Sequence, residues 1–220
     1  MRSARCGDDV EPEPLSGPSL NAARRVDGLR CAAVLRTSLL TVGLALLLSA
    51  CGGSHVAGEK GVKSGPAPQF SLRDQDGRLV DLAQQRGRVI VLTFLYTHCK
   101  DICPLIASSL NAVLVNLKEP ERQRVRVIAV SVDPRGDTFT SVRRYAKEKN
   151  LLPQFRYLFG SKQELQPVWS AYGILIDPVN LESIDHTGRI IVIDRKGELR
   201  AGFPPTVPAA KVLADVKKLL

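Results

Sequence analysis

Thr97-His98-Cys99-Lys100-Asp101-Ile102-Cys103-Pro104 lies between two apolar stretches, and the three pieces together set the fold. Upstream is Val89-Ile90-Val91-Leu92-Thr93-Phe94-Leu95-Tyr96. It is β-branched and aromatic, free of Pro and bounded by Gly87, which predicts a buried strand. Downstream, Ile106, Leu110, Val113, Leu114 and Leu117 recur at helical spacing, and Pro104 is tolerated in a first helical turn. Cys99 and Cys103 therefore sit where a buried strand gives way to a helix. A helix N-terminus carries partial positive charge and unpaired N–H groups, which favour thiolate over thiol. Thiolate is the form that ligates metals and attacks disulfides.

The spacing leaves two uses open. Residues four apart on a helix have Cβ atoms about 5–6 Å apart, whereas a disulfide needs about 3.5–4.5 Å. A bridge between Cys99 and Cys103 requires the loop to tighten. A shared metal requires less, because each metal–sulfur bond adds about 2.3 Å of reach. A pair of inert buried thiols is the plain alternative.

Farther from the junction the pattern alternates. Residues 125–132 read as a second strand ending at Asp133-Pro134, followed by a helix over about 138–149. A short strand at 157–160 precedes a helix over 162–172, with Leu165, Val168, Trp169 and Tyr172 on one face. Residues 190–194 and 199–203 form a hairpin over Arg195-Lys196-Gly197-Glu198, and 208–220 closes as a helix. On the N-terminal side, 69–72 and 78–82 make a hairpin around Asp74-Gln75-Asp76-Gly77. This order predicts an α/β fold: a thioredoxin-like mixed sheet flanked by helices, with an added N-terminal β-hairpin.

The first third of the chain differs. Asp8, Asp9, Glu11, Pro12, Glu13 and Pro14 begin a polar lead unable to build a core. Arg24, Arg25, Arg30 and Arg36 then precede an apolar run over 37–50, shorter than the about 17–25 residues a spanning helix needs. Basic flank, short apolar centre and small residues at its end predict a secretory signal, with an uncleaved anchor as the alternative. Leu48-Ser49-Ala50-Cys51 resembles the bacterial lipobox, with cleavage before Cys51 and a lipid on its sulfur. The expected organisation is a lead and lipoprotein signal over 1–50, a lipidated Gly/Ser/Pro-rich tether over 51–67 and a folded domain over 68–220. The domain would be exported and held at the extracytoplasmic face of the membrane.

Cysteine arithmetic follows. Cys6 and Cys31 leave with the signal and Cys51 is acylated, so the mature chain keeps Cys99 and Cys103. In an oxidising compartment a lone pair is either one disulfide or a site kept reduced for a purpose. So short a bridge would restrain little of the unfolded chain, which makes stability a weak reason for the pair. Composition excludes one class of partner. The 220 residues carry a formal charge of +9, but Lys and Arg are scattered among acids, with no basic block interleaved with aromatics. Nucleic acid is not expected. A basic surface facing anionic lipid is.

Two more positions join the cysteines. His186 lies in Ile184-Asp185-His186-Thr187-Gly188, just ahead of the strand at 190. That edge of a thioredoxin-like sheet faces the active loop. Asp133 ends the strand next to the central one, and ligands gather at the carboxyl ends of parallel strands. A turn residue before Pro134 is its other reading.

Four ordered motifs now carry a family likeness. They are Thr97 to Pro104 as Thr-x-Cys-x-x-x-Cys-Pro, Ser131 to Thr138 as Ser-Val-Asp-Pro-x-x-Asp-Thr, Gly160 to Gly173, and Asp185-His186-Thr187. Together they resemble the Sco/SenC copper-chaperone family over roughly 68–218. The resemblance implies a thioredoxin-fold protein that helps assemble the copper centre of cytochrome c oxidase subunit II. It implies Cu(I)/Cu(II) as cargo, received from an upstream copper donor, and Cys99, Cys103 and His186 as ligands. Asp133 matches the motif aspartate, an auxiliary residue. One difference is Lys100, where family members commonly have proline; its charge beside Cys99 should favour thiolate. The competing function is an extracytoplasmic thiol–disulfide oxidoreductase, with Cys99 attacking and Cys103 resolving, that reduces the acceptor's cysteines.

Overall fold

A computed structural model describes residues 64–178 and 184–220. In chain order the elements are β1 (Gly65–Pro66), β2 (Ser71–Asp74), β3 (Leu79–Asp81), β4 (Val89–Leu95), α1 (Ile102–Val115), β5 (Val125–Ser131), α2 (Phe139–Glu148), β6 (Phe155–Phe159), α3 (Lys162–Ala171), β7 (Ile176–Pro178), β8 (Ile184–His186), β9 (Ile190–Ile193), β10 (Glu198–Phe203) and α4 (Ala209–Lys218). Eight strands make one mixed sheet in the order β1-β10-β9-β4-β5-β6-β2-β3. β4, β5 and β6 run parallel, and β9 pairs antiparallel with β4. All seven residues of β4 are buried, as expected of a central strand covered on both sides.

The crossovers β4-α1-β5 and β5-α2-β6 step the same way across the sheet. Right-handed crossing therefore puts α1 and α2 on one face. The Tyr145 hydroxyl of α2 donates to the Cys103 carbonyl of α1 at 3.4 Å, and α4 packs along α1. α3 docks through Trp169, whose Nε1–H donates to the Ser131 carbonyl at 2.8 Å. The ring of Tyr172, just past α3, lies 5.9 Å from that of Phe94.

The two hairpins turn by one device. Asp74 Oδ1 accepts the N–H groups of Asp76 and Arg78, each at 2.9 Å. Asp194 Oδ1 does the same for Lys196 and Glu198, also at 2.9 Å. Each turn ends on a glycine with positive φ, 75° at Gly77 and 87° at Gly197, where a side chain would be strained. The N-terminal hairpin is then fastened to β6, because Gln75 Oε1 accepts the Tyr157 N–H at 2.8 Å and Gln75 Nε2 donates to the Phe155 carbonyl at 3.1 Å.

The thioredoxin-like sheet, its flanking helices and the added hairpin match the reading of the sequence. Two details differ. Gly65 and Pro66 pair with β10 and Ala67 is buried, so residues assigned to the tether belong to the sheet. β7 and β8 form a separate antiparallel hairpin with Ile176 opposite His186, and strands of three residues are too short to show a period. The signal run, Cys6, Cys31, Cys51 and the tether as far as residue 63 lie outside the described residues. Among the described residues no helix is long and apolar enough to cross a membrane.

Candidate metal centre

The parallel ladder of β4 and β5 ends with Leu95 opposite Ser131, and both chains turn there. β9 runs the other way, with Ile190 opposite Thr93, so the residues preceding β9 come to the same edge. The Thr93 hydroxyl fastens them by donating to the Arg189 carbonyl at 3.0 Å. Sheet topology thus brings 96–103, 132–137 and 184–189 to one end of the sheet.

α1 starts at Ile102, earlier than the apolar spacing suggests, which places Cys103 within its first turn. Both thiols are free. The Cys103 N–H donates to Cys99 Sγ at 3.4 Å. Burial by itself would raise the Cys99 thiol pKa. The hydrogen bonds of the Cys103 thiol, the Cys103 and Asp101 backbone N–H groups and the Tyr96 hydroxyl outweigh it and hold Cys99 below the usual thiol range. Burial pushes Cys103 far above that range, and its hydrogen bond to Cys99 adds to the rise. Lys100 is exposed, and these hydrogen bonds rather than its charge dominate at Cys99. One equivalent of iodoacetamide should therefore modify Cys99 ahead of Cys103, which is 0 % exposed against 8 % for Cys99. Trypsin cleaves between them at Lys100, so peptide masses read the preference directly. Equal labelling would refute the asymmetry.

Tyr96, which the sequence presents simply as the end of an apolar run, links the parts of the site. Its hydroxyl accepts the Ile184 N–H at 3.5 Å and helps hold the Cys99 thiol pKa down. Its ring lies edge-on to the His186 ring at 6.0 Å between centroids. His186 is half-buried on β8, and burial lowers its pKa, favouring the neutral imidazole. Its Nδ1 lies 3.3 Å from the Thr187 carbonyl. Donation from Nδ1 leaves Nε2 with a free lone pair, the arrangement of a metal-binding histidine.

Asp133 Oδ1 accepts the N–H groups of Arg135 and Gly136 at 3.1 and 2.9 Å, the role of a turn residue. A Cβ on Gly136 would come within 2.1 Å of Asp133 Oδ2 and 2.9 Å of His98 Nδ1, so only glycine allows this approach. Asp137 is the residue that sequence reasoning missed. It is 3 % exposed. Its Oδ1 accepts the Thr97 N–H at 2.9 Å and the Thr97 hydroxyl at 2.6 Å, and its Oδ2 accepts the hydroxyls of Ser131 at 2.6 Å and Tyr157 at 3.1 Å. The only signal for it in the sequence is its place in the Ser131 to Thr138 motif.

Donor atoms of His98, Asp133 and Asp137 lie within 4.8 Å of one another. Both Asp137 oxygens already accept two hydrogen bonds, so that group has little left to offer a cation. Cys99, Cys103 and His186 do not form so close a group among the described residues. The structure brings the two sulfurs together and places the imidazole behind Tyr96.

A family profile described as SCO1/SenC matches residues 60–220. The chain belongs to the SCO1/SenC family. The SCO1 protein homolog of Bacillus subtilis is 28% identical over 185 residues, covering 81% of this chain and 94% of that protein. The copper-bound structure of Bradyrhizobium japonicum ScoI is 28% identical with a TM-score of 0.63, covering 71% of this chain and 100% of that one. The fold is also that of BsSco, described as having a disulfide switch and as a member of the Sco family of cytochrome c oxidase assembly proteins, at TM-score 0.60 and 23% identity, with 70% of this chain and 92% of that one covered. Cys99, Cys103, Asp133 and His186 all fall inside the SCO1/SenC match.

Proposed function

We propose that this SCO1/SenC protein is a copper metallochaperone, with Cys99, Cys103 and His186 as ligands and Asp133 as an auxiliary residue shaping the loop beside them. The observation that carries the reading is the pair of free thiols at the end of β4, one donating its backbone N–H to the other's sulfur, beside the β7–β8 hairpin that bears the half-buried His186. The donor set fits the cargo. Soft thiolates select Cu(I), and an added imidazole also suits Cu(II). Two thiolates with Cu(I) leave one net negative charge, which the N-terminus of α1 offsets. The copper-bound ScoI relative supports the same cargo. The acceptor we propose is the copper centre of cytochrome c oxidase subunit II, with an upstream donor loading the site. A lipid on Cys51 would hold the exported domain at the membrane, where that acceptor lies.

The unequal thiols favour a second reading, a thiol–disulfide oxidoreductase. The Cys99 thiolate would attack a disulfide in the acceptor, releasing one acceptor thiolate and leaving a mixed disulfide. Cys103, on losing its proton, would attack Cys99 Sγ and release the second. Two electrons pass to the acceptor, and a Cys99–Cys103 disulfide remains.

The test is an anaerobic titration of the reduced, detergent-solubilised chain with Cu(I) against a competing chelator, beside His186→Ala. The expected result is one tightly held copper per chain and an affinity at least about tenfold weaker in the variant. Absence of competitive binding would end the chaperone reading and leave disulfide exchange with oxidised subunit II as the function to assay.

A further inference from the structure

Beside the cysteine loop a groove of about 750 Å³ opens between the turn after β5, α3 and the β7–β8 hairpin. Its base is apolar: Val132, Trp169 and Ile174 line it and are buried. Leu175 stands at its side 77 % exposed, a large apolar side chain left facing water. Arg135 and Lys162 also line it and are exposed, and neither side chain has an ion pair among the described residues. Asp133, the one acid among the described residues that line it, turns its Oδ1 onto the N–H groups of Arg135 and Gly136. Among the described residues the groove thus presents an apolar base edged by two cationic side chains against one carboxylate, a net positive edge.

Its position matters as much as its chemistry. Ile184, in the groove wall, donates its N–H to the hydroxyl of Tyr96, and that hydroxyl lies close enough to Cys99 to help lower its thiol pKa. Whatever fills the groove lies one side chain away from the thiols. We infer that this groove docks the protein that exchanges copper with the site, through a segment pairing a large apolar side chain with a carboxylate. The apolar group covers Leu175 and the groove base, and the carboxylate meets Arg135 and Lys162. A concavity suits an inserted chain segment better than a flat bilayer, and opposite charge at its edge steers encounter and fixes orientation. This inference rests on the delivery reading above and adds to it the surface that the acceptor recognises.

Trp169 is the chain's single tryptophan, so it can report on the groove. The chain labelled with 5-fluorotryptophan, in uncharged detergent, gives one fluorine resonance from this side chain. The probe is the soluble copper domain of oxidase subunit II, in its reduced, copper-free form. Its addition should shift the resonance with an affinity that weakens as salt is raised. The double variant Arg135→Glu/Lys162→Glu should weaken binding at least about tenfold and abolish that salt dependence. Leu175→Ser should weaken binding and leave the salt dependence unchanged. All three residues are exposed and outside the proposed ligand set, so both variants should retain one Cu(I) per chain. Failure of the wild type to bind Cu(I) would remove the delivery reading. With Cu(I) bound normally, the groove inference alone falls if the domain does not bind, or binds the wild type and the charge-reversed variant equally. It also falls if the resonance shifts with the chain's own concentration or with anionic vesicles alone, which would assign the groove to a second copy or to lipid.

Discussion

Cys103→Ser should lower Cu(I) affinity by more than about 100-fold, beyond the range that loss of an outer-shell partner costs. A thiolate is polarisable and gives up its proton to a metal at neutral pH, whereas a serine hydroxyl is hard and keeps its proton. Serine is nearly the same shape, so the variant removes a proposed ligand without opening a cavity at a side chain that is 0 % exposed. On the proposed ligand set it also removes one of two negative charges, which would leave one thiolate and an imidazole for Cu(I). Cys99→Ser should act in the same direction. It takes away the sulfur that accepts the Cys103 N–H and that hydrogen bonds hold in the more acidic state. Competitive chelator titration measures the affinity, and unchanged thermal unfolding confirms that the fold persists. Retention of affinity within about tenfold in either variant would mean that its sulfur is not a ligand. The pair of variants also bears on the alternative chemistry. Cys99→Ser should stop attack on an acceptor disulfide altogether, while Cys103→Ser should trap the mixed disulfide on Cys99.

How much of this was legible follows from the length scale of each signal. β4 could be read because its run of β-branched and aromatic residues is long and strongly apolar, and all seven residues are buried. α1 could be read from its spacing, but not its first turn. Pro104 does fall in the first turn, as its third residue, but Ile102 and Cys103 precede the apolar spacing and so look like loop. β1, β7 and β8 span two or three residues each, below the length at which any period shows, and their strand character comes from partners elsewhere in the chain. The candidate site divides the same way. Cys99 and Cys103 announce themselves by type and spacing, and His186 by its place ahead of β9 and by the family motif. Tyr96 looks like the last core residue of the strand, yet it is the side chain between Cys99 and the β7–β8 hairpin. Asp137 was hidden for another reason: its importance lies in Thr97, Ser131 and Tyr157, which only the folded sheet brings to it.

That junction leads to the second large effect: Asp137→Ala should destabilise the domain by about 3–5 kcal/mol. The carboxylate accepts four hydrogen bonds in a place with almost no water. Alanine strands the hydroxyls of Tyr157 and Ser131, both 0 % exposed, together with the N–H and hydroxyl of Thr97. Each orphaned buried group costs about 1–3 kcal/mol. An opposing effect keeps the total from reaching the full sum. Burial raises the Asp137 pKa against those hydrogen bonds, so the fold holds the charged form at some disadvantage that the variant relieves. At about 2–4 °C per kcal/mol for a domain of this size, the melting temperature should fall by roughly 10 °C. Asp137→Asn keeps the shape and one acceptor oxygen, so its loss should be smaller. The two chains should also respond differently to pH. With its pKa raised on folding, Asp137 binds more protons in the native than in the unfolded state above the free carboxyl value of about 3.9. Wild-type stability relative to Asp137→Asn should thus be highest in acid, decline as pH rises through the folded pKa, and then level off. Denaturant melts across pH would show this, and a difference that grows with pH would refute it. Copper affinity supplies the last check. Thr97 begins the cysteine loop, and freeing its N–H loosens the backbone that presents Cys99. Asp137→Ala should therefore weaken Cu(I) binding even at temperatures where the variant is fully folded.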